Sequence, residues 1–124
     1  MDIRNPPAIP VSGPGYLVYT ALLTQTGTDA PVATVLQNTL TVATGWSYEE
    51  VGKYKFTSGD SLFYPGKVVI FLTADPAKVP HVLNVDANSD TTSISVLSFQ
   101  EVAGILTATD GVMLQDSIEI RVYP

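Results

Sequence analysis

The chain has 124 residues, of which 45% are hydrophobic and only 15% charged, with a formal net charge of −6. A domain of this size can bury a core without covalent staples, and its low charge and high apolar content exclude a disordered chain. The acidic balance, with six Lys and Arg scattered along the sequence, argues against a nucleic-acid partner, which needs a basic face. There are no cysteines, so neither a disulfide framework nor a thiolate metal site is available. No apolar run approaches the roughly 20 residues of a membrane-spanning helix, and residues 1–15 contain no apolar core of a signal peptide.

Residues 1–15 hold Pro6, Pro7, Pro10 and Pro14 with Gly13 and Gly15, which predicts an extended arm rather than a helix. Such an arm is a tether, a strap along a neighbouring subunit, or a loosely held terminus. The β-domain is expected over 16–124. It opens with Tyr16 to Thr24, rich in aromatic, β-branched and aliphatic residues, a polar turn at Gln25 to Asp29, and a second run from Val32 to Leu36. This pair is too apolar to stand alone in water.

Further strands are expected near Val42–Tyr48, Gly52–Thr57 and Lys67–Thr73, with turns at Glu49-Glu50, Ser58-Gly59-Asp60 and Pro65-Gly66. Val68 to Leu72 is apolar at both parities, which implies protein cover on both faces. In a small antiparallel domain, Val68, Ile70 and Leu72 are therefore candidates for an oligomer interface. His81 to Val85 and Thr91 to Phe99 alternate, and Gln100 to Thr109 is a short strand or an irregular crossing. Asp110-Gly111 marks a turn before Ser117 to Tyr123, where Ile118, Ile120 and Val122 share one face. No segment has a helical period with good helix formers. Short strands with turn marks every eight to twelve residues predict an all-β antiparallel sandwich or jelly-roll-like barrel of about eight strands.

Three motifs bear on chemistry. Gly59-Asp60-Ser61-Leu62 spells the signature of the GDSL hydrolases, whose serine needs a histidine supplied by a later Asp-x-x-His. The sole histidine is His81, and three residues before it stands Lys78, so the motif reads as turn chemistry between strands. Asp86-x-Asn88-x-Asp90 resembles half of a calcium loop, but Thr91 and Leu97 occupy the places of the required Gly and Glu. A solvated turn is the simpler reading. His81 has no partner at metal-ligand spacing, so no metal or other cofactor is expected.

Trp46, Tyr48, Tyr54, Phe56 and Tyr64 crowd into about twenty residues. Trp46, Tyr48 and Tyr54 at even spacing could make a platform for sugar rings, a host-surface glycan among them. The other reading is that they fill the core or a subunit interface.

The pattern Tyr19-x-Ala21-Leu22-Leu23-Thr24-Gln25-x-Gly27-Thr28-x-Ala30-Pro31-x-Ala33-x-Val35-Leu36-x-Asn38-Thr39-Leu40 resembles a small β-module of structural proteins in tailed bacteriophages and related viruses. Trp46, the Gly52-x-Tyr54 pair and the ending Ile118 to Tyr123 fit the same module, which is similar to parts of fibre- or spike-like virion proteins, including those of phages on Bacteroidetes hosts. The resemblance, which covers nearly the whole chain from Tyr16 onward, implies a non-enzymatic virion component, commonly a homotrimer; residues 1–15 are then expected to engage other virion proteins or a neighbouring subunit. It carries no catalytic residue. The alternative is a monomeric carbohydrate-binding module that uses Trp46, Tyr48 and Tyr54.

Overall fold

The apolar–polar alternation of the sequence becomes nine strands in the computed structural model, which describes residues 15–75, 79–86 and 90–124. They are β1 (Leu17–Thr24), β2 (Val32–Asn38), β3 (Thr44–Glu50), β4 (Lys53–Ser58), β5 (Val68–Thr73), β6 (Val82–Asp86), β7 (Ser93–Val102), β8 (Ile105–Ala108) and β9 (Asp116–Val122). Every pairing is antiparallel. One sheet has the order β2-β1-β9-β5 and the other β3-β4-β7-β6, with β8 paired to the far end of β7. No described residue is helical. The expected antiparallel β-sandwich is what the chain adopts, and the strand beyond the expected eight is β8.

Period-two patterning decides which side chains meet between the sheets. Tyr19, Ala21 and Leu23 of β1 and Ile118, Ile120 and Val122 of β9 face inward from the first sheet. Tyr54 and Phe56 of β4, with Ile94 and Val96 of β7, answer them from the second. Phe56 is the aromatic centre: its ring lies 4.5 Å from Tyr19, 4.9 Å from Trp46 and 6.2 Å from Phe63. Each such buried large side chain stabilises the fold by about 1.5–3 kcal/mol through the area it removes from water.

The first strand pair is joined as expected, with β1 on β2 from Thr24↔Val32 to Tyr19↔Asn38 and a register shift between Thr20 and Ala21. Leu40, fully buried, then plugs the corner where the chain leaves one sheet for the other. The outer face of the second sheet is polar: Lys53 and Lys55 pair with Glu49, and Lys53 also with Asp86. Such partly exposed pairs stabilise little, but they keep this face wet.

The registers define two poles. β1 and β5 begin, and β9 ends, at one pole, where Leu17 and Val68 both lie opposite Val122. The Ser61–Phe63 loop joins this pole to the start of β7, since Leu62 and Phe63 donate their N–H groups to the carbonyl of Thr91. β1 ends, β9 begins and β7 runs out at the other pole.

Candidate functional site

The first pole carries an open groove of about 740 Å³. Its walls are mostly carbon, from Tyr16, Leu17, Leu62, Tyr64, Val122 and Tyr123, and among the described residues Lys67 is the one charged side chain on them. Pro65-Gly66, the expected turn, sets β5 on its path here, with Gly66 at φ 78° and Lys67 N–H donating to Tyr64 O at 3.0 Å. Lys67 Nζ donates to the backbone oxygen of Pro124 at 2.8 Å, tying that loop to the end of β9. Among the described residues no titratable pair suited to acid–base chemistry faces the groove, and its walls suit an apolar occupant.

Beside the same groove lies the Gly59-Asp60-Ser61-Leu62 motif. Ser61 N–H donates to Asp60 Oδ1, and Ser61 Oγ accepts from Thr91 Oγ1 at 3.0 Å. His81 precedes β6, whose Val82 pairs with Phe99 near the end of β7, so it sits at the opposite pole. There the His81 ring is consumed on both sides, by Val79 O at 2.6 Å and by Asp116 Oδ2 at 2.5 Å. Both side chains of the His81–Asp116 pair are fully buried, and Asp116 Oδ1 also accepts Asp75 N–H at 2.8 Å. Burial opposes the charge on His81, but the Val79 carbonyl, the Asp116 carboxylate and the nearby Asp75 outweigh it and raise the imidazole above its ordinary range. The pair pins the β5–β6 connection to β9, and Ser61 has no part in it.

A second buried polar cluster closes the same pole. Asp110 Oδ1 accepts Gly52 N–H at 2.8 Å and Tyr54 OH at 2.8 Å, while Oδ2 accepts Tyr48 OH at 2.7 Å. Gln25 Oε1 accepts Gly111 N–H at 2.7 Å and lies 3.0 Å from Tyr54 OH. Its amide nitrogen donates to the carbonyls of Gly27 and Asp29, which fixes the β1–β2 turn. Burial pushes the Tyr54 hydroxyl well up, with the Asp110 charge adding to it, so it stays protonated. Burial also works against the Asp110 carboxylate, but donation from Gly52, Tyr48 and Tyr54 wins and lowers its pKa. Sequence reading saw Asp110-Gly111 only as a turn and gave Gln25 and Asp116 no role. An acidic residue after an expected turn gives no hint that it will be enclosed.

Trp46, Tyr48 and Tyr54 do not form a platform. Trp46 opposes Phe56 and Tyr48 opposes Tyr54 in the β3–β4 register, all on the core-facing side. Tyr54 is fully buried, and Trp46 donates its Nε1 hydrogen to Tyr19 OH at 3.2 Å. Val68, Ile70 and Leu72 also pack, half-buried, against this core, while Val69 and Phe71 are the exposed members of β5. The Phe71 ring lies beneath the Arg121 guanidinium, 4.8 Å from its centre.

Asn88 of the Asp86-x-Asn88-x-Asp90 motif and Lys78 lie outside the described residues, as do residues 1–14. Asp86 pairs with Lys53, and Asp90 accepts from Thr92 N–H and Oγ1 and from Ser93 Oγ. Among the described residues no group of three or more His, Cys, Asp or Glu could hold a metal ion, and no helix is long and apolar enough to cross a membrane.

Residues 101–108 are exposed throughout. β6 pairs with β7 only as far as Phe99, and β4 only as far as Leu97. Beyond them β7 and β8 continue as a two-stranded hairpin, from Phe99↔Ala108 to Val102↔Ile105. Ala103 and Gly104, with φ of 53° and 82°, make the two-residue turn that right-handed strand twist favours. Val102, Ile105 and Leu106 are 54%, 68% and 57% exposed at its tip.

The chain matches no protein-family model, no curated protein and no solved structure. The functional reading therefore rests on the residues themselves.

Proposed function

We propose that this chain is a non-enzymatic structural component of a virus particle, a bacteriophage fibre or decoration protein that works as an oligomer. The observation that carries the reading is apolar surface left uncovered on structured elements. The tip of the β7–β8 hairpin is one such region, and the β2 edge strand, with Val32, Val35 and Leu36 exposed, is another. Apolar side chains gathered on a free edge and a projecting ribbon are what a partner's surface covers. Among the described residues, the buried His81 and Asp116 bond each other, and the half-buried Asp110 bonds Tyr48, Tyr54 and Gly52.

The virion assignment comes from the resemblance of the Tyr19–Leu40 pattern and of the Ile118–Tyr123 ending. In this reading residues 1–15 engage other virion proteins, and the sandwich packs against its own copies. The low content of Lys and the net charge of −6 favour solubility at high local copy number.

Light scattering coupled to size exclusion tests this on the full chain at several concentrations. The expected result is a stable multiple of the 13.2 kDa chain mass, three chains for the trimer that the resemblance implies. A single-chain mass at every concentration contradicts it.

A further inference from the structure

We propose that copies of this chain associate head to tail, the β7–β8 hairpin tip of one copy seating in the apolar groove at the opposite pole of the next. This deepens the assembly reading above and rests on it.

The knob and the socket are both built from described residues. A two-stranded hairpin is marginally stable in water unless its face is covered, yet residues 100–108 continue past every strand that flanks them. Their tip shows Val102, Ile105 and Leu106 to solvent, side chains whose transfer from water into an apolar socket lowers the free energy. The groove between Tyr16, Leu62, Tyr64 and Tyr123, about 740 Å³ in volume, has room for several aliphatic side chains.

Charge selects the pairing. From Phe99 to Thr109 the sole charged residue is Glu101, and among the described residues of the groove wall the sole charged side chain is Lys67. Hairpin against groove brings Glu101 toward Lys67. Hairpin against hairpin would oppose two Glu101 carboxylates, and groove against groove two Lys67 ammonium groups, so the two-fold alternatives are disfavoured. A contact between unlike surfaces at opposite poles is heterologous: repetition closes a ring where the rotation allows it and otherwise extends a filament.

The test uses two full-length variants at exposed positions, Leu106→Glu to spoil the knob and Tyr64→Glu to spoil the socket, followed by native mass spectrometry. Tyr64 is 51% exposed, so neither change buries a charge in the core. The wild-type chain is expected as a multimer and each variant alone as a monomer. An equimolar mixture of the two is expected to give a species of two chains and nothing larger, because one intact knob meets one intact socket. Charge reversal supplies an independent arm: Glu101→Lys reduces the multimer and Lys67→Glu in the same chain restores it.

If both variants keep the wild-type mass, the head-to-tail contact is overturned while the assembly reading stands. If the mixture stays monomeric, the two surfaces are not partners and the proposal falls. If Leu106→Glu dissociates the multimer but Tyr64→Glu does not, the groove has another occupant, such as the chain's own residues 1–14 or a small apolar ligand, and the proposal again falls. A wild-type chain that is monomeric at every concentration overturns the contact and the assembly reading together.

Discussion

Tyr54 and Asp110 meet at 2.8 Å, where β4 of one sheet touches the loop that leads into β9 of the other. The contact sits at the centre of a cluster that also holds Gln25, Tyr48 and the N–H groups of Gly52 and Gly111. The Asp110 carboxylate thus ties its own loop to the β3–β4 hairpin, and Gln25, through Tyr54 and Gly111, adds the β1–β2 turn. Low local dielectric strengthens each bond, and it makes the loss of the shared acceptor costly.

Asp110→Ala should therefore destabilise the fold by about 3 kcal/mol, since three donors lose a charged acceptor in a part-buried place. Urea denaturation measures this. The pH dependence has a defined sign. The folded-state pKa of Asp110 is lowered, so its contribution is complete above the unfolded value of 3.8 and is lost as pH falls through the folded value. In Asp110→Asn this acid-side loss of stability should shrink.

His81 and Asp116 predict the opposite slope. The folded-state pKa of His81 is raised, so its contribution is complete below the unfolded value of 6.5 and is lost as pH rises through the folded value. The unfolding midpoint should fall on going from slightly acidic to alkaline buffer, and His81→Gln should flatten that fall. His81→Ala leaves a buried carboxylate without its cationic partner and should cost about 3–5 kcal/mol.

Gly52 takes φ of 67°, and a Cβ there would lie 2.7 Å from Ser98 O and 2.8 Å from Thr109 N. Both neighbours are backbone, Ser98 within β7 and Thr109 directly after β8. Gly52→Ala should destabilise by more than about 1 kcal/mol, because neither the dihedral nor the space suits a side chain. Chemical denaturation, with Gly66→Ala as a positive-φ position in open space, separates strain from crowding.

Trp46→Ala should act on stability rather than on ligand recognition. The indole packs on Phe56 and hydrogen-bonds Tyr19, and its half-buried position sets the loss at about 2–3 kcal/mol, below that of a fully buried aromatic. Thermal unfolding checks this. Retained stability with loss of binding on a glycan array would favour the carbohydrate-binding alternative instead.

The strands and the first hairpin were legible because period-two alternation and turn residues act locally, whereas the order of strands within the two sheets was not. Ile118, Ile120 and Val122 face the core as their spacing requires, and Pro65-Gly66 turns the chain where expected. Within one chain only one face of Val68 to Leu72 is covered. Val68, Ile70 and Leu72 pack on the core, and the outer Val69 and Phe71 of this edge strand are exposed, Phe71 lying beneath the Arg121 side chain.

The polar clusters could not be read from the sequence. Gln25, Asp110 and Asp116 are enclosed only when loops from distant parts of the chain converge, and each looks like an ordinary turn residue by itself. The same holds for the hairpin tip. Gln100 to Thr109 could be a strand or a crossing until the registers of β4 and β6 ended short of it.

Hydrogen exchange of the full-length chain at low and high protein concentration tests the central claim most directly. Amides of residues 101–107 lie in a projecting two-stranded ribbon, so in isolated chains they should exchange rapidly. Assembly through the hairpin predicts that their exchange slows as concentration rises, while the core strands β1, β4 and β9 stay protected throughout. Exchange at 101–107 that is equally fast at every concentration would contradict the account.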